Sequence, residues 1–201
     1  MNLDRFIYYR HNVFTDQFCD TLVNLFESEA QNNRVFVGQS GAGVNHNVKQ
    51  TSEIDLLGRD EANWDNFYSI INDHLSNHYL ASMPMLDKFN PEMRILFNET
   101  YYEVCQIQKY DKGRGHYNAW HVEVDGPDSC VRPFSMIIYL NDVELGGETS
   151  FLYTGTQVKP RKGSLLIFPS SFPFVHRGEV PISHDKYIIA TWLAYRPVVN
   201  S

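Results

Sequence analysis

The chain has 201 residues, 43% hydrophobic and 20% charged, which is enough apolar material for a packed domain and too much for a disordered segment. Its 24 acidic and 17 basic side chains leave a formal charge of −7, which disfavours a phosphate-binding surface and therefore nucleic acid as a partner. Cys19, Cys105 and Cys130 have no paired spacing, arguing against a disulfide scaffold or a cysteine zinc site and for a reducing, cytoplasmic setting. The segment Met1–Phe6 lacks the basic-then-apolar pattern of a signal peptide, and no run of 18 apolar residues exists, so no membrane association is expected.

In chain order, Thr15 is placed to cap a helix whose Phe18, Leu22, Val23 and Phe26 form an apolar stripe. Residues 38–46 read as a glycine-rich loop, and no Gly-Lys-Ser/Thr follows that would make it a phosphate loop. A second helix is expected over 61–81, burying Trp64, Phe67, Ile71, Leu75 and Tyr79, with Pro84 at its end. From residue 100 the pattern changes. Segments 100–110, 117–124, 134–141, 149–154, 164–168, 173–177 and 186–195 are short and rich in β-branched and aromatic residues, with turn sequences such as Asp111-Lys112-Gly113 and Gly146-Gly147 between them. This spacing predicts a sandwich or barrel, and helices followed by strands without alternation predict an α+β fold. With no repeat or linker, residues 1–201 are expected to form a single domain, with 1–99 as mainly helical support and loops and 100–196 as the β-barrel core.

The chemistry concentrates in the second half. In a strand, residues i and i+2 share a face, so His121 and Glu123 would present an imidazole and a carboxylate together. Composition alone supplies one such pair, so it needs support. His176, after the apolar stretch Leu165–Pro169, adds a third ligand. Two histidines and one carboxylate leave three adjacent positions open on a six-coordinate iron(II), as oxygenase chemistry with a 2-oxo acid and O2 requires. Ten residues later, Lys186 shares a strand face with Ile188, Ala190 and Trp192, and an ammonium in that apolar setting calls for a fixed anion. The distal carboxylate of 2-oxoglutarate is such an anion, with Tyr139 and Tyr110 placed to add hydroxyl hydrogen bonds.

The ordered pieces are Glu103–Tyr110, Gly115-His116-Tyr117, His121-x-Glu123, Arg132, Tyr139-Leu140-Asn141 and Gly146-Gly147-Glu148-Thr149. Val158-x-Pro160-x-x-Gly163, His176, Lys186 and Trp192 follow, with a fainter match at Val48–Ser52. Over residues 100–196 this pattern resembles the prolyl 4-hydroxylase group of 2-oxoglutarate/iron(II) oxygenases. The resemblance implies a double-stranded β-helix, a jelly-roll barrel of the cupin type, braced by N-terminal helices. It implies His121, Glu123 and His176 as iron ligands, Lys186 as the 2-oxoglutarate anchor, and Tyr139 and Tyr110 as its helpers. It also implies iron(II), 2-oxoglutarate and O2 as cofactors, with ascorbate optional. The expected reaction is hydroxylation of a prolyl residue in a peptide or protein, releasing succinate and CO2. Two departures stand out: Glu123 replaces the usual Asp, and one extra residue lies between Tyr117 and His121.

Other residues carry competing readings. Asp125 is an alternative carboxylate ligand. His116 matches no ligand position and reads as a surface or substrate-side residue. His74 and His78 are four apart on a helix, but Leu75 stands where a zinc protease needs its Glu, so an ordinary helix face is expected. Trp120 should point away from His121 into core or barrel packing, Gly146-Gly147 should make a tight turn, and Arg132 suits either a substrate contact or a local salt bridge. A metal- or peptide-binding jelly roll without catalysis, and an oxygenase acting on a small molecule, are the rival functions.

Overall fold

A computed structural model describes residues 3–41, 43–57, 64–82, 100–127 and 129–196. The expected helix residues 61–63, the side chain of Trp64, and Pro84 lie outside that description. Helix α1 (Asp16–Gln31) starts as the sequence dictates, with the Phe18 amide donating to Thr15 Oγ1 at 3.2 Å. Its stripe of Cys19, Leu22 and Phe26 is fully buried. Helix α2 (Trp64–Asp73) widens into a π-helical turn over His74–Tyr79 and tightens into a 3-10 turn over Leu80–Ser82. Phe67, Ile71, Leu75 and Tyr79 are buried along it, and Phe67 stacks with Phe18 and lies against Phe14.

The strands in chain order are β1 (Tyr8–Arg10), β2 (Phe36–Val37), β3 (Lys49–Gln50), β4 (Ser52–Asp55), β5 (Thr100–Tyr110) and β6 (His116–His121). They continue as β7 (Phe134–Tyr139), β8 (Thr149–Phe151), β9 (Gln157–Val158), β10 (Ser164–Pro169), β11 (His176–Gly178) and β12 (Lys186–Tyr195). All pairings are antiparallel, in two sheets ordered β1-β10-β7-β12-β5-β4-β2 and β3-β6-β11-β8-β9. One face of the large sheet packs Cys105, Ile107, Met136, Ile138, Leu165, Ile167 and Ile189 into one apolar cluster with the helical Leu22, Phe26 and Ile71. Each such aliphatic side chain contributes roughly 1.5–3 kcal/mol on burial. A second cluster holds Tyr110, Tyr139, Phe151, Leu166, Phe168, Phe174 and Ile188. Alternation along β12 therefore divides Tyr187 and Ile189, facing the helices, from Lys186 and Ile188, facing inward.

The first half supplies more strand than the sequence suggests. Four short strands, β1 to β4, extend both sheets, and runs of two to four residues carry too little period to be read. The expected strand 117–124 ends at His121, and 173–177 is paired only from His176. Between β6 and β11 the register slips: His176 faces His121, while Gly178 faces Tyr117. Between these pairs β6 spends four residue steps where β11 spends two, so the irregularity falls in the stretch between Tyr117 and His121 that holds the extra residue. The Tyr117 ring thereby lies parallel to the His121 imidazole, 3.7 Å between centres and 15° between planes.

Candidate metal centre and cavity

The inner face opens on a cavity of about 580 Å³ lined by both sheets. His121, Glu123 and His176 converge in it, with one ligand atom from each lying within 4.8 Å of the others. His121 and His176 arrive as cross-strand partners at the end of β6 and on β11. Glu123 does not arrive by strand alternation, because the strand has ended. Its amide and that of Val124 instead donate to the Ser170 carbonyl, at 2.9 and 3.2 Å, and Arg132 Nη1 donates to its carbonyl at 3.2 Å. Arg132 is itself fixed by a two-point fork onto Glu103, at 2.6 and 3.1 Å, and lies over the Trp192 ring at 4.7 Å. The local salt bridge is thus the role the structure gives Arg132, although the side chain also lines the cavity.

Each imidazole turns Nδ1 toward a main-chain carbonyl, His121 to Ala119 at 2.9 Å and His176 to Phe174 at 3.1 Å. A carbonyl only accepts, so Nδ1 carries the proton and Nε2 presents a lone pair. Both Nε2 atoms face Glu123 Oε1, at 3.5 and 3.3 Å. Burial and the neighbouring His121 push the His176 pKa down, which favours the neutral ring. Burial alone would raise the Glu123 carboxyl, but the two imidazoles outweigh it and hold the group well below the usual carboxylate range. Two lone pairs and a carboxylate aimed at one another are compatible only with positive charge between them. That donor set fits a divalent iron-type ion.

Lys186 lies deeper in the same cavity and is 1% exposed. Its Nζ donates to the Gly147 carbonyl at 3.0 Å and sits 4.0 Å from the centre of the Tyr110 ring. Gly178 borders the same space, where a Cβ would stand in ordinary contact, 3.4 Å from the Tyr110 ring and 3.7 Å from Nζ. Gly147, expected in a tight turn, does adopt a left-handed φ of 75°. Tyr110 lines the cavity and donates to Gln108 Oε1 at 3.1 Å. Tyr139 is set one layer back: its hydroxyl bonds Thr149 Oγ1 at 2.8 Å, and Thr149 forms the wall. A lone buried ammonium beside a polar hydroxyl and a shaped void fits a carboxylate-bearing ligand.

Several expectations are corrected. Asp125 is exposed at the mouth, takes a hydrogen bond from Ser129 at 2.9 Å, and stays out of the cluster, because the chain has left the strand. Trp120 does point away from His121, but it is not core. It is 39% exposed and lies 4.3 Å beneath the Arg177 guanidinium on the outer side of the small sheet. His116 bonds the Arg114 carbonyl through Nδ1 and is not among the cavity-lining residues. His74 is taken up by the Tyr8 hydroxyl at 2.7 Å, as an ordinary helix residue would be.

One wall was not anticipated from the sequence. Lys49 and Glu53 form a buried ion pair of 2.6 Å between strands of different sheets, with Thr51 donating to Glu53 and Lys49 5.3 Å from the centre of the Tyr117 ring. The odd-numbered alternation Lys49, Thr51, Glu53 is the available signal, and it is faint because strands β3 and β4 are so short.

Residues 105–194 match the family model described as the 2OG-Fe(II) oxygenase superfamily. Probable prolyl 4-hydroxylase 9 of Arabidopsis thaliana is 35% identical over 120 residues, covering 48% of this chain and 40% of that protein. Prolyl 4-hydroxylase 13 of the same plant is 29% identical over 122 residues, covering 48% and 44%. The chain thus spans less than half the length of these two relatives. Among solved structures, a Pseudomonas putida prolyl-4-hydroxylase aligns with a TM-score of 0.68 at 16% identity, over 95% of this chain and 93% of that one. A Trichoplax adhaerens prolyl hydroxylase, in complex with a hypoxia inducible factor oxygen degradation domain peptide fragment, gives 0.70 at 16% identity, over 95% and 84%. These likenesses establish the fold as the expected double-stranded β-helix. Over residues 105–194 the chain is therefore similar to the 2OG-Fe(II) oxygenase superfamily, with prolyl 4-hydroxylases among the relatives it resembles.

Proposed function

We propose that this chain is a 2-oxoglutarate- and iron(II)-dependent hydroxylase acting on a prolyl residue of a peptide or protein. The observation that carries the reading is the convergence, in one cavity, of three cation-seeking donors and a buried lysine with no carboxylate partner among the described residues. The prolyl substrate is supported by the relatives, which are named as prolyl 4-hydroxylases, and by the peptide bound to the Trichoplax adhaerens protein.

In this reading His121, Glu123 and His176 hold the metal, with their orientation fixed by the Ala119, Phe174 and Ser170 carbonyls. Lys186 holds the distal carboxylate of the co-substrate, helped by Thr149 with Tyr139 behind it and by the Tyr110 face. Iron(II), 2-oxoglutarate and O2, when bound, supply hydroxylation of a C–H bond coupled to decarboxylation of 2-oxoglutarate to succinate and CO2. Phe168 and Ile188 give the inner wall an apolar surface that limits water. Gln39–Gly41 and Asp125–Pro127 flank the mouth, where they would border the extended substrate.

The test is incubation with a proline-rich peptide, 2-oxoglutarate and iron(II), reading peptide mass and succinate together. The expected result is a gain of one oxygen on proline with equimolar succinate, both lost in His176→Ala. Succinate without peptide modification would overturn the prolyl substrate, and no succinate from iron-loaded protein would overturn the enzymatic reading in favour of a binding module.

A further inference from the structure

Lys186 is the most enclosed ionisable amine of the described residues, and its surroundings do not match its charge. β12 carries it inward, and the groups around it come from five other places. Tyr110 on β5 offers a ring face, and the turn before β8 offers the Gly147 carbonyl. Tyr139 on β7 and Thr149 on β8 bond each other. Gly178 on β11 borders it without charge. The carboxylates acting on Lys186 do so through space: Glu148 beside the turn, and Glu179, which is paired with Arg177 at 2.8 Å. Burial raises both tyrosines far above neutrality, so neither exchanges a proton with the amine near pH 7. Burial dominates at Lys186 too, pushing its pKa down to about 7 against the partial opposition of Glu148 and Glu179.

We propose that anion binding in this cavity is coupled to proton uptake at Lys186: the amine enters the complex as an ammonium that one carbonyl and a ring face hold poorly by themselves. This rests on the proposal that Lys186 anchors the co-substrate carboxylate. The balance is simple. One proton moves from solvent to the amine, no covalent bond to carbon changes, and the anion's charge is met inside the pocket rather than before it arrives. Affinity for the anion therefore falls as pH rises above neutrality, because a growing share of the free protein must first gain a proton.

The test is anaerobic calorimetry of 2-oxoglutarate binding to the iron(II)-loaded protein in buffers of low and high ionisation enthalpy. Because burial leaves much of Lys186 neutral above pH 7 before the anion binds, net uptake of most of one proton is expected at pH 8 and of little at pH 6. Lys186→Arg, whose guanidinium stays protonated, should bind with no uptake at either pH. The wild-type protein alone gives a second reading: Kd should rise about tenfold from pH 8 to pH 9 and stay flat below pH 6. Binding whose heat is independent of buffer at pH 8, or whose Kd is flat from pH 6 to 9, would overturn the proton coupling while leaving the anchor in place. Absence of 2-oxoglutarate binding by iron-loaded protein at pH 6 would overturn the anchor itself.

Discussion

The same two strands carry a lysine–tyrosine contact on each face of the large sheet, and the two have opposite fates. Toward the helices, Lys109 on β5 faces Tyr187 on β12, with Nζ 5.3 Å from the ring centre. Toward the cavity, Lys186 on β12 faces Tyr110 on β5, at 4.0 Å. Lys109 is closed into a network with Glu27 at 2.9 Å and Asp185 at 3.2 Å, and Tyr187 also donates to Glu27. Burial works against its charge, but Glu27 and Tyr187 outweigh it and raise its pKa. Lys186 has the ring and a carbonyl, and its pKa falls. An identical pair of side chains is a clamp between helix and sheet where its charge is met, and, in the function we propose, an anion-binding position where it is not.

Removing each lysine gives the largest contrast. Lys186→Ala should weaken 2-oxoglutarate binding by roughly 10–100-fold, the worth of a charge-assisted hydrogen bond of about 1.5–3 kcal/mol, while leaving metal binding intact. Lys109→Ala should leave that affinity unchanged and lower stability by about 1 kcal/mol, since its partly exposed partners are rehydrated. Equal losses of affinity in the two variants, by calorimetry, would erase the distinction between the faces.

The pH dependence of stability separates them next. Lys186 loses its proton near pH 7 when folded and near its ordinary 10.5 when unfolded, so between these values the unfolded chain holds one more proton. Stability without ligand should therefore rise with pH across that window. From pH 7 to pH 9 the wild type should gain roughly 2 kcal/mol over Lys186→Met in denaturant titrations. A constant difference between the two proteins would show that the pocket tolerates the ammonium. Lys109 should contribute nothing of this kind, because its raised pKa lies above the window.

The smallest effect is expected on the outer side of the small sheet. Trp120→Ala should change turnover and stability little, by about 0.5 kcal/mol or less, since that face is exposed. A large loss of succinate formation in this variant would mean that the outer face communicates with the cavity.

The same contrast explains what could be read in advance. Positions set by long, regular strands were legible: β5 and β12 run over the expected 100–110 and 186–195, and alternation alone turns Lys186 inward. His176 and His121 followed from residue type and order. Glu123 was named on an argument that the structure replaces, since the Ser170 carbonyl rather than strand period sets its backbone. Tyr139 lies in the expected region but sits behind Thr149, to which it bonds, a distinction of one packing layer that no one-dimensional pattern carries. Contacts joining distant segments were out of reach for the same reason. Arg132 with Glu103, and Lys49 with Glu53 across the two sheets, depend on how β3 to β5 fold over the barrel. Trp120 was misplaced because alternation gives the side of a sheet but not whether anything covers it.

The most direct test of the central claim is anaerobic addition of 2-oxoglutarate to the iron(II)-loaded protein, followed by visible absorption. The account predicts a charge-transfer band that appears with 2-oxoglutarate, saturates, and is absent in His176→Ala. Iron bound at His121, Glu123 and His176 with no band at saturating 2-oxoglutarate would contradict it, because the open positions and the Lys186 anchor would not be serving one ligand.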